Sequence, residues 1–316
     1  MRRYKWVAGL FILALGSILA SCSPSTVSPS QPGATQGQPL LVVTTTTIVG
    51  DVVKNIAGNR ANVQILIPAG VDEHSFQYTP ADVTKVANAD IVFMNGAGLE
   101  TFMKPLMSNA DAKAPLVSVS DGIQLSQAKT DVRSSSSSDQ IQVGDPHVWM
   151  DPNLVKVWTE NIASALSQVD PEHAADYENN KINYQQQLID LDQWIRDQIS
   201  QVPPANRMLV TDHEIFTYFA DRYGFQQIGA VIPSYSTTAE PSARELAALE
   251  DAIRQYGVKA IFVGDTVNPA LASRVADDTG TKLIRIYTGS LTPGPPAGTY
   301  LDYMRSDVEA IVGALK

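Results

Sequence analysis

The chain of 316 residues holds four histidines and one cysteine. His74 lies in Gly70-Val71-Asp72-Glu73-His74-Ser75-Phe76, His147 in Asp145-Pro146-His147-Val148-Trp149, and His213 in Thr211-Asp212-His213-Glu214. Each has a carboxylate within two positions. Imidazole nitrogen suits Zn, Cu, Fe and Ni, so three imidazoles brought together would form a transition-metal site. Their long separations match no local motif such as H-E-x-x-H, which leaves the gathering to the fold. The fourth, His173 in Pro171-Glu172-His173-Ala174, falls in the first turn of an expected helix and reads as solvated. The single cysteine excludes an intrachain disulfide and a Cys-rich zinc site.

The elements that must position these groups alternate in type. The β-rich runs Leu40–Thr46, Val63–Pro68, Ile91–Asn95 and Leu116–Val119 are separated by helix-like stretches. One helix stops at Gly58, and another is capped by Thr79 with Pro80 at its first position. After residues 126–144, which hold five serines in a row and read as a mobile loop, Asp151-Pro152 and Asp170-Pro171 open two helices. The second is expected to run to about Ser200 as a rod. Strands then return at Met208–Thr211, Gln227–Ile232, Ala260–Val263 and Leu283–Tyr287, with helices at about 213–223, 241–256 and 269–279. Strand alternating with helix predicts parallel sheets. The fold class expected is therefore α/β: two (βα)4-type lobes, each with a parallel sheet, joined by one long rigid helix. His74 and His213 follow strand ends, where open α/β sheets bind ligands.

Composition narrows the function. With 44% hydrophobic and 18% charged residues the chain can bury a core. A formal charge of −10 argues against nucleic acid, whose binders carry a basic surplus, and suits gathering cations. The start is a targeting segment: Arg2, Arg3 and Lys5, an apolar run from Trp6 to Ala20, then Leu19-Ala20-Ser21-Cys22. The run is short for a membrane span and fits a signal peptide. Its end resembles a bacterial lipobox, with Cys22 lipid-modified as the mature N-terminus. Residues 23–38, rich in Ser, Pro, Thr, Gly and Gln, read as a flexible tether. The expected organisation is thus signal peptide 1–21, lipidated Cys22 and tether 22–38, N-terminal lobe 39–170, linking helix 171–202 and C-terminal lobe 203–316.

Together the lipobox, GVDEHSFQYTPADV (70–83), ANADIVFMNGAGLE (87–100), DPHVWMDP (145–152), VTDHEIFTYFADRYG (210–224) and TYLDYMR (299–305) resemble the solute-binding lipoproteins of zinc and manganese ABC importers. The resemblance runs from about residue 40 to the C-terminus. It implies one metal held between the lobes by His74, His147 and His213, delivery to a membrane permease, and a monomer tethered outside the cytoplasmic membrane. Two positions depart from the family. Gly289 stands where an aspartate is often found, and Gly264, followed by Asp265, stands where a glutamate is often found. Three completions of the coordination stay open: water, Glu73 or Asp265, with Glu73 or water favoured. Restoring a carboxylate by Gly289→Asp is expected to add one hard ligand.

Three nitrogens with at most one carboxylate favour Zn²⁺, which takes four-coordinate N/S/O sites, over Mn²⁺, which prefers oxygen. Mn²⁺ binding is the alternative within the family. Two functions of other classes compete. Three histidines and a water would also make a catalytic zinc, but no motif supports Glu214 as a base for a zinc-dependent hydrolase, so no enzyme is expected and no catalytic cofactor. A surface adhesin finds no repeat or stapled module in its support.

Overall fold

The computed structural model describes residues 38–126 and 144–316. The signal segment, Cys22, nearly all of the tether and most of the serine-rich loop lie outside the described residues. Among the described residues no helix is long and apolar enough to cross a membrane.

The first lobe runs β1 (Leu40–Thr44), α1 (Thr47–Ala57), β2 (Ala61–Ile65), α2 (Pro80–Ala87), β3 (Ile91–Met94), α3 (Met103–Asn109), β4 (Leu116–Ser118) and α4 (Pro152–Val169). After α5 (Ala174–Ile199) come β5 (Met208–His213), α6 (Thr217–Tyr223), β6 (Gln226–Ile232), α7 (Ala243–Tyr256), β7 (Ala260–Gly264), α8 (Ala270–Thr279), β8 (Lys282–Ile286) and α9 (Tyr300–Leu315). Each lobe holds a four-stranded sheet, ordered β2-β1-β3-β4 and β6-β5-β7-β8, with every pairing parallel. A parallel sheet covered on both faces needs strands apolar throughout rather than in alternation. Ile91, Val92 and Phe93 of β3, and Ile261, Phe262 and Val263 of β7, are accordingly all buried.

Local chemistry sets the helix ends. Thr46 caps α1 by accepting the Val49 N–H. Thr79 and Asp82 form a reciprocal capping box at α2 with Pro80 in its first turn, and Asp151 accepts the Asn153 N–H before Pro152 at α4. Each satisfies donors that the first helical turn leaves unpaired. Asp170 departs from this pattern. A 3-10 turn at Pro171–His173 precedes α5, and the Asp170 carboxylate accepts the His173 ring and the Tyr177 hydroxyl instead of capping. His173 is therefore a half-buried, paired residue rather than a solvated one.

The long helix α5 has 26 residues, about 39 Å at 1.5 Å each. It packs on α4 and α1 from the first lobe and on α9 from the second, through Tyr177, Tyr184, Leu188, Leu191, Ile195 and Ile199. One continuous apolar core results, from Val42 in β1 to Leu315 in α9. Each lobe also holds a smaller separate core, around Val43 and Leu106 in the first and around Ile253 and Val275 in the second. Helix α9 lies beyond the elements expected from strand and helix alternation. Its Tyr300, Tyr303, Met304, Val308 and Ile311 recur at helical spacing and all face the core.

Candidate metal centre

Both sheets present their carboxyl edges to the site. His213 is the last residue of β5, the central strand from which the second sheet's order reverses. His74 lies in the loop that follows β2, and His147 immediately precedes a 3-10 turn at Val148–Met150 leading into α4. The structure brings the three together: one ring nitrogen from each lies within 4.8 Å of the others. The Nε2 atoms of His74 and His147 are 3.2 Å apart, and the ring centroids stand 5.1–5.5 Å from one another, edge to face. His147 and His213 are fully buried and His74 nearly so.

Two of the imidazoles are oriented by carboxylates on their far nitrogens. Asp145 accepts from His147 Nδ1 at 2.6 Å and from its backbone N–H at 2.9 Å. Asp212 accepts from His213 Nδ1 at 2.8 Å and from its backbone N–H at 2.7 Å, and its other oxygen takes the Gly264 N–H of β7 at 2.6 Å. With the proton held on Nδ1, the Nε2 lone pair is what each ring offers the site. His213 Nε2 has no hydrogen-bond partner in the structure. His74 is held differently, its backbone N–H donating to Asp72 at 3.0 Å. Asp145 and Asp212 were visible in the sequence only as acids beside histidines. The D-x-H and D-H spacings are the signal that distinguishes them as anchors.

The electrostatics follow from burial and company. Burial, reinforced by the two neighbouring imidazoles, pushes His74 down to about 2, and burial and His213 push His147 well below its ordinary value. His213 goes the other way. Burial alone would lower it, but the Asp212 charge and hydrogen bond outweigh that and raise it. Asp212 is in turn held below the usual carboxylate range, the pull of His213 overcoming its burial. Burial pushes Glu73 and Asp145 up to about 7 each.

Glu73 is 3% exposed. Its Oε1 lies 3.9 Å from His74 Nε2, and its Oε2 is buried without a hydrogen-bond partner. A buried carboxylate oxygen in that state is costly unless a cation or donor meets it. Neither Glu73 nor Asp265 joins the three-histidine cluster. Asp265 sits just past β7, partly buried, with backbone N–H groups of its own residue and of Thr288 against its carboxylate, and its Oδ1, like Glu73 Oε2, has no hydrogen-bond partner.

Both departing glycines have a steric reason. A Cβ on Gly264 would fall 2.0 Å from Thr288 Oγ1. A Cβ on Gly289 would fall 1.9 and 2.2 Å from the two carboxylate oxygens of Glu73. The Gly289→Asp side chain would therefore have to displace the Glu73 carboxylate before it could reach the site. Sequence reasoning also missed the tie beside it: Trp149 Nε1, next to the His147 ring, donates to the Thr288 carbonyl at 3.0 Å, as does the Tyr303 hydroxyl at 2.6 Å.

The sequence profile of the family described as zinc-uptake complex component A, periplasmic, matches residues 42–314. The manganese-binding lipoprotein MntA of Halalkalibacterium halodurans is 31% identical over 306 residues, 96% of each chain. The manganese ABC transporter substrate-binding lipoprotein PsaA of Streptococcus pneumoniae is 30% identical over 323 residues, covering 100% of this chain and 99% of that one. Among solved structures, the Mn-bound periplasmic metal-binding protein of Candidatus Liberibacter asiaticus superposes with a TM-score of 0.76 at 30% identity, over 87% of this chain and 99% of that one. The periplasmic zinc-binding protein TroA of Treponema pallidum gives 0.77 at 29%, over 88% and 99%. A profile spanning both sheets and relatives aligned along nearly the whole length place this chain in the zinc-uptake complex component A family of periplasmic metal-binding proteins.

Proposed function

We propose that His74, His147 and His213 hold one divalent transition-metal ion, with Glu73 as the fourth donor and Zn²⁺ preferred to Mn²⁺. The chain is a substrate-binding protein of metal ABC import, so the ion is cargo. The observation that carries the assignment is the buried meeting of three ring nitrogens within 4.8 Å, with carboxylates behind two of them. Glu73 and Asp265 each hold a buried oxygen without a hydrogen-bond partner; the 3.9 Å from Glu73 Oε1 to His74 Nε2 favours Glu73 as the fourth donor, whereas the Asp265 carboxylate is engaged by backbone N–H groups. Three nitrogens and one oxygen match tetrahedral zinc. Mn²⁺ stands lowest in the divalent affinity series and favours oxygen. The second metal is kept in view by the names of the two relatives, both manganese proteins.

Capture proceeds by exchange of protons for metal. Ligating imidazoles must be neutral and the carboxylate ionised, conditions that His74 and His147 meet before metal arrives. The same burial suits a carrier better than a hydrolase, since Glu73 takes the corner where a reacting water would need room. We further propose that the folded part, roughly residues 39–316 with the two lobes divided at helix 171–202, acts as a monomer. It would be tethered through lipidated Cys22 outside the cytoplasmic membrane and hand the ion to the permease.

The test is metal analysis of protein purified without added metal, followed by competition between Zn²⁺ and Mn²⁺ under a chelator. One ion per chain with zinc displacing manganese supports the assignment. Manganese retained against equimolar zinc overturns the preference, and zinc-dependent ester turnover overturns the carrier reading.

A further inference from the structure

Gly289 is conspicuous because its backbone does not require glycine. It is absent from the glycines with positive φ, so an L side chain is conformationally allowed there. The three heavy atoms nearest a Cβ at 289 all belong to Glu73: Oε2, Oε1 and Cδ, at 1.9, 2.2 and 2.3 Å. The main chain at 289 has little freedom to retreat. On one side, the Thr288 carbonyl accepts from Trp149 and Tyr303. On the other, Ser290 Oγ accepts the Gly70 N–H at 2.9 Å, and the Leu291 N–H donates to Thr47 Oγ1 at 2.8 Å. Gly70 begins the stretch that carries Glu73 and His74, so both segments are fixed against each other. Any atom added at 289 must therefore move the Glu73 carboxylate.

From this we propose that Gly289 is the position that decides which lobe supplies the oxygen donor of the metal centre: its missing side chain is the space that the Glu73 carboxylate occupies, so the oxygen donor comes from the first lobe. A carboxylate carried at 289 and one carried at 73 are alternatives and cannot both reach the ion. This rests on the proposed metal centre and adds to it which lobe supplies the hard ligand, and why only one does.

The consequence is a coupling between two residues distant in sequence. Gly289→Ala adds one methyl group, displaces the end of a flexible side chain, and leaves the three imidazoles in place. It should lower Zn²⁺ affinity by about 10- to 100-fold, the scale on which groups supporting a metal site act. Glu73→Ala should lower it by a similar factor. Adding Gly289→Ala to Glu73→Ala should then cost almost nothing further, because the clash no longer exists. Residues in contact are where such non-additivity is expected. The exchanged variant Glu73→Ala with Gly289→Asp should recover most of the loss, while Gly289→Asp alone should not exceed wild type.

The experiment is a zinc chelator competition on these five variants and wild type, with the metal-free thermal midpoint of each measured in parallel. Non-additivity in the cycle, with metal-free midpoints near wild type, is the expected result. Gly289→Ala costing the same factor with and without Glu73, or costing nothing in wild type, overturns the proposal. His213→Ala is run alongside: undiminished zinc binding there would sink the metal centre itself, whereas additive Gly289 and Glu73 effects with an essential His213 would sink only the exchange.

Discussion

The two lobes share one strand order, β2-β1-β3-β4 against β6-β5-β7-β8, yet they face the proposed metal centre unequally. The first lobe brings Glu73, His74 and His147, all on segments outside its strands. The second brings His213 alone, on the last residue of β5, paired in register with Ile232 of β6. A donor mounted in a sheet is placed more rigidly than donors on loops. In the proposed metal centre the difference amounts to a division of labour: the second lobe would supply a fixed nitrogen with its buried anchor Asp212, and the first an adjustable set that includes the proposed carboxylate donor Glu73.

The sharpest way to break this comparison is to remove the single donor of the second lobe. His213→Ala should lower zinc affinity by more than about 100-fold, beyond the 10- to 100-fold range of supporting groups. The rise in thermal midpoint on adding zinc should shrink with it, since ligand stabilisation follows affinity. His147→Ala should match it, and His74→Ala, the one of the three with no carboxylate hydrogen-bonded to its Nδ1, should be the mildest. Chelator competition with all three variants decides. Binding by His213→Ala equal to wild type would take the second lobe out of the site.

The anchors sharpen the contrast. Asp145→Asn and Asp212→Asn should each lower zinc affinity by about 10- to 100-fold. They should differ in the metal-free protein. Asp212 is held ionised against His213 and also takes the Gly264 N–H. Burial already pushes Asp145 up to about 7, so a neutral amide changes less there. Urea unfolding of the metal-free variants should show Asp212→Asn less stable than Asp145→Asn by about 1.5–3 kcal/mol, the scale of a hydrogen bond to a charged group. Equal stabilities would mean that the two anchors are interchangeable.

Protons divide between the lobes too. In the metal-free site His74 and His147 are kept neutral. His213 in the second lobe has a raised pKa, and Glu73 and Asp145 in the first sit at about 7. Groups with raised pKa values bind protons as pH falls through those values, and zinc must displace them. Affinity should therefore level off well above pH 7 and fall below it, losing more than about tenfold per pH unit because more than one proton is released. The slope of log affinity against pH, measured by competition between pH 8 and 6, checks this. A slope of one or less would leave only one lobe's proton in play.

Much of this was legible in the sequence for identifiable reasons. Strand and helix types followed from apolar runs and caps, and His74 and His213 followed strand ends where ligands gather. The pairing of Glu73 with Gly289 was not legible. It depends on two loops from different lobes meeting, and the sequence shows a glycine only as a lost carboxylate. The start of β2 was also misjudged, because its bounds are set by register against Leu40–Thr44 rather than by its most apolar residues. Helix α9 was missed because its aromatic spacing was read as a motif before it was read as a period.

The smallest effect belongs to the fourth histidine, and it tests whether the lobes communicate through the helix that joins them. His173 is separated from His147 by the 18 residues of α4, about 27 Å of helix. Its ring shares the Asp170 carboxylate with the Tyr177 hydroxyl, at 2.7 and 2.5 Å, just before α5. Asp170 keeps Tyr177 when His173 is removed, and water reaches the His173–Asp170 pair, whose side chains are 23% and 18% exposed. His173→Ala should therefore cost less than about 1 kcal/mol, as partly exposed pairs do, and leave zinc affinity unchanged. Tyr177 is fully buried at the head of α5, so any shift of that helix would be felt along its contacts with α1 and α9. A zinc affinity lowered more than about tenfold in His173→Ala, with stability intact, would show that the seating of α5 sets the distance between His213 and the first lobe's donors. The metal centre would then depend on the linking helix as well as on the loops that carry its ligands.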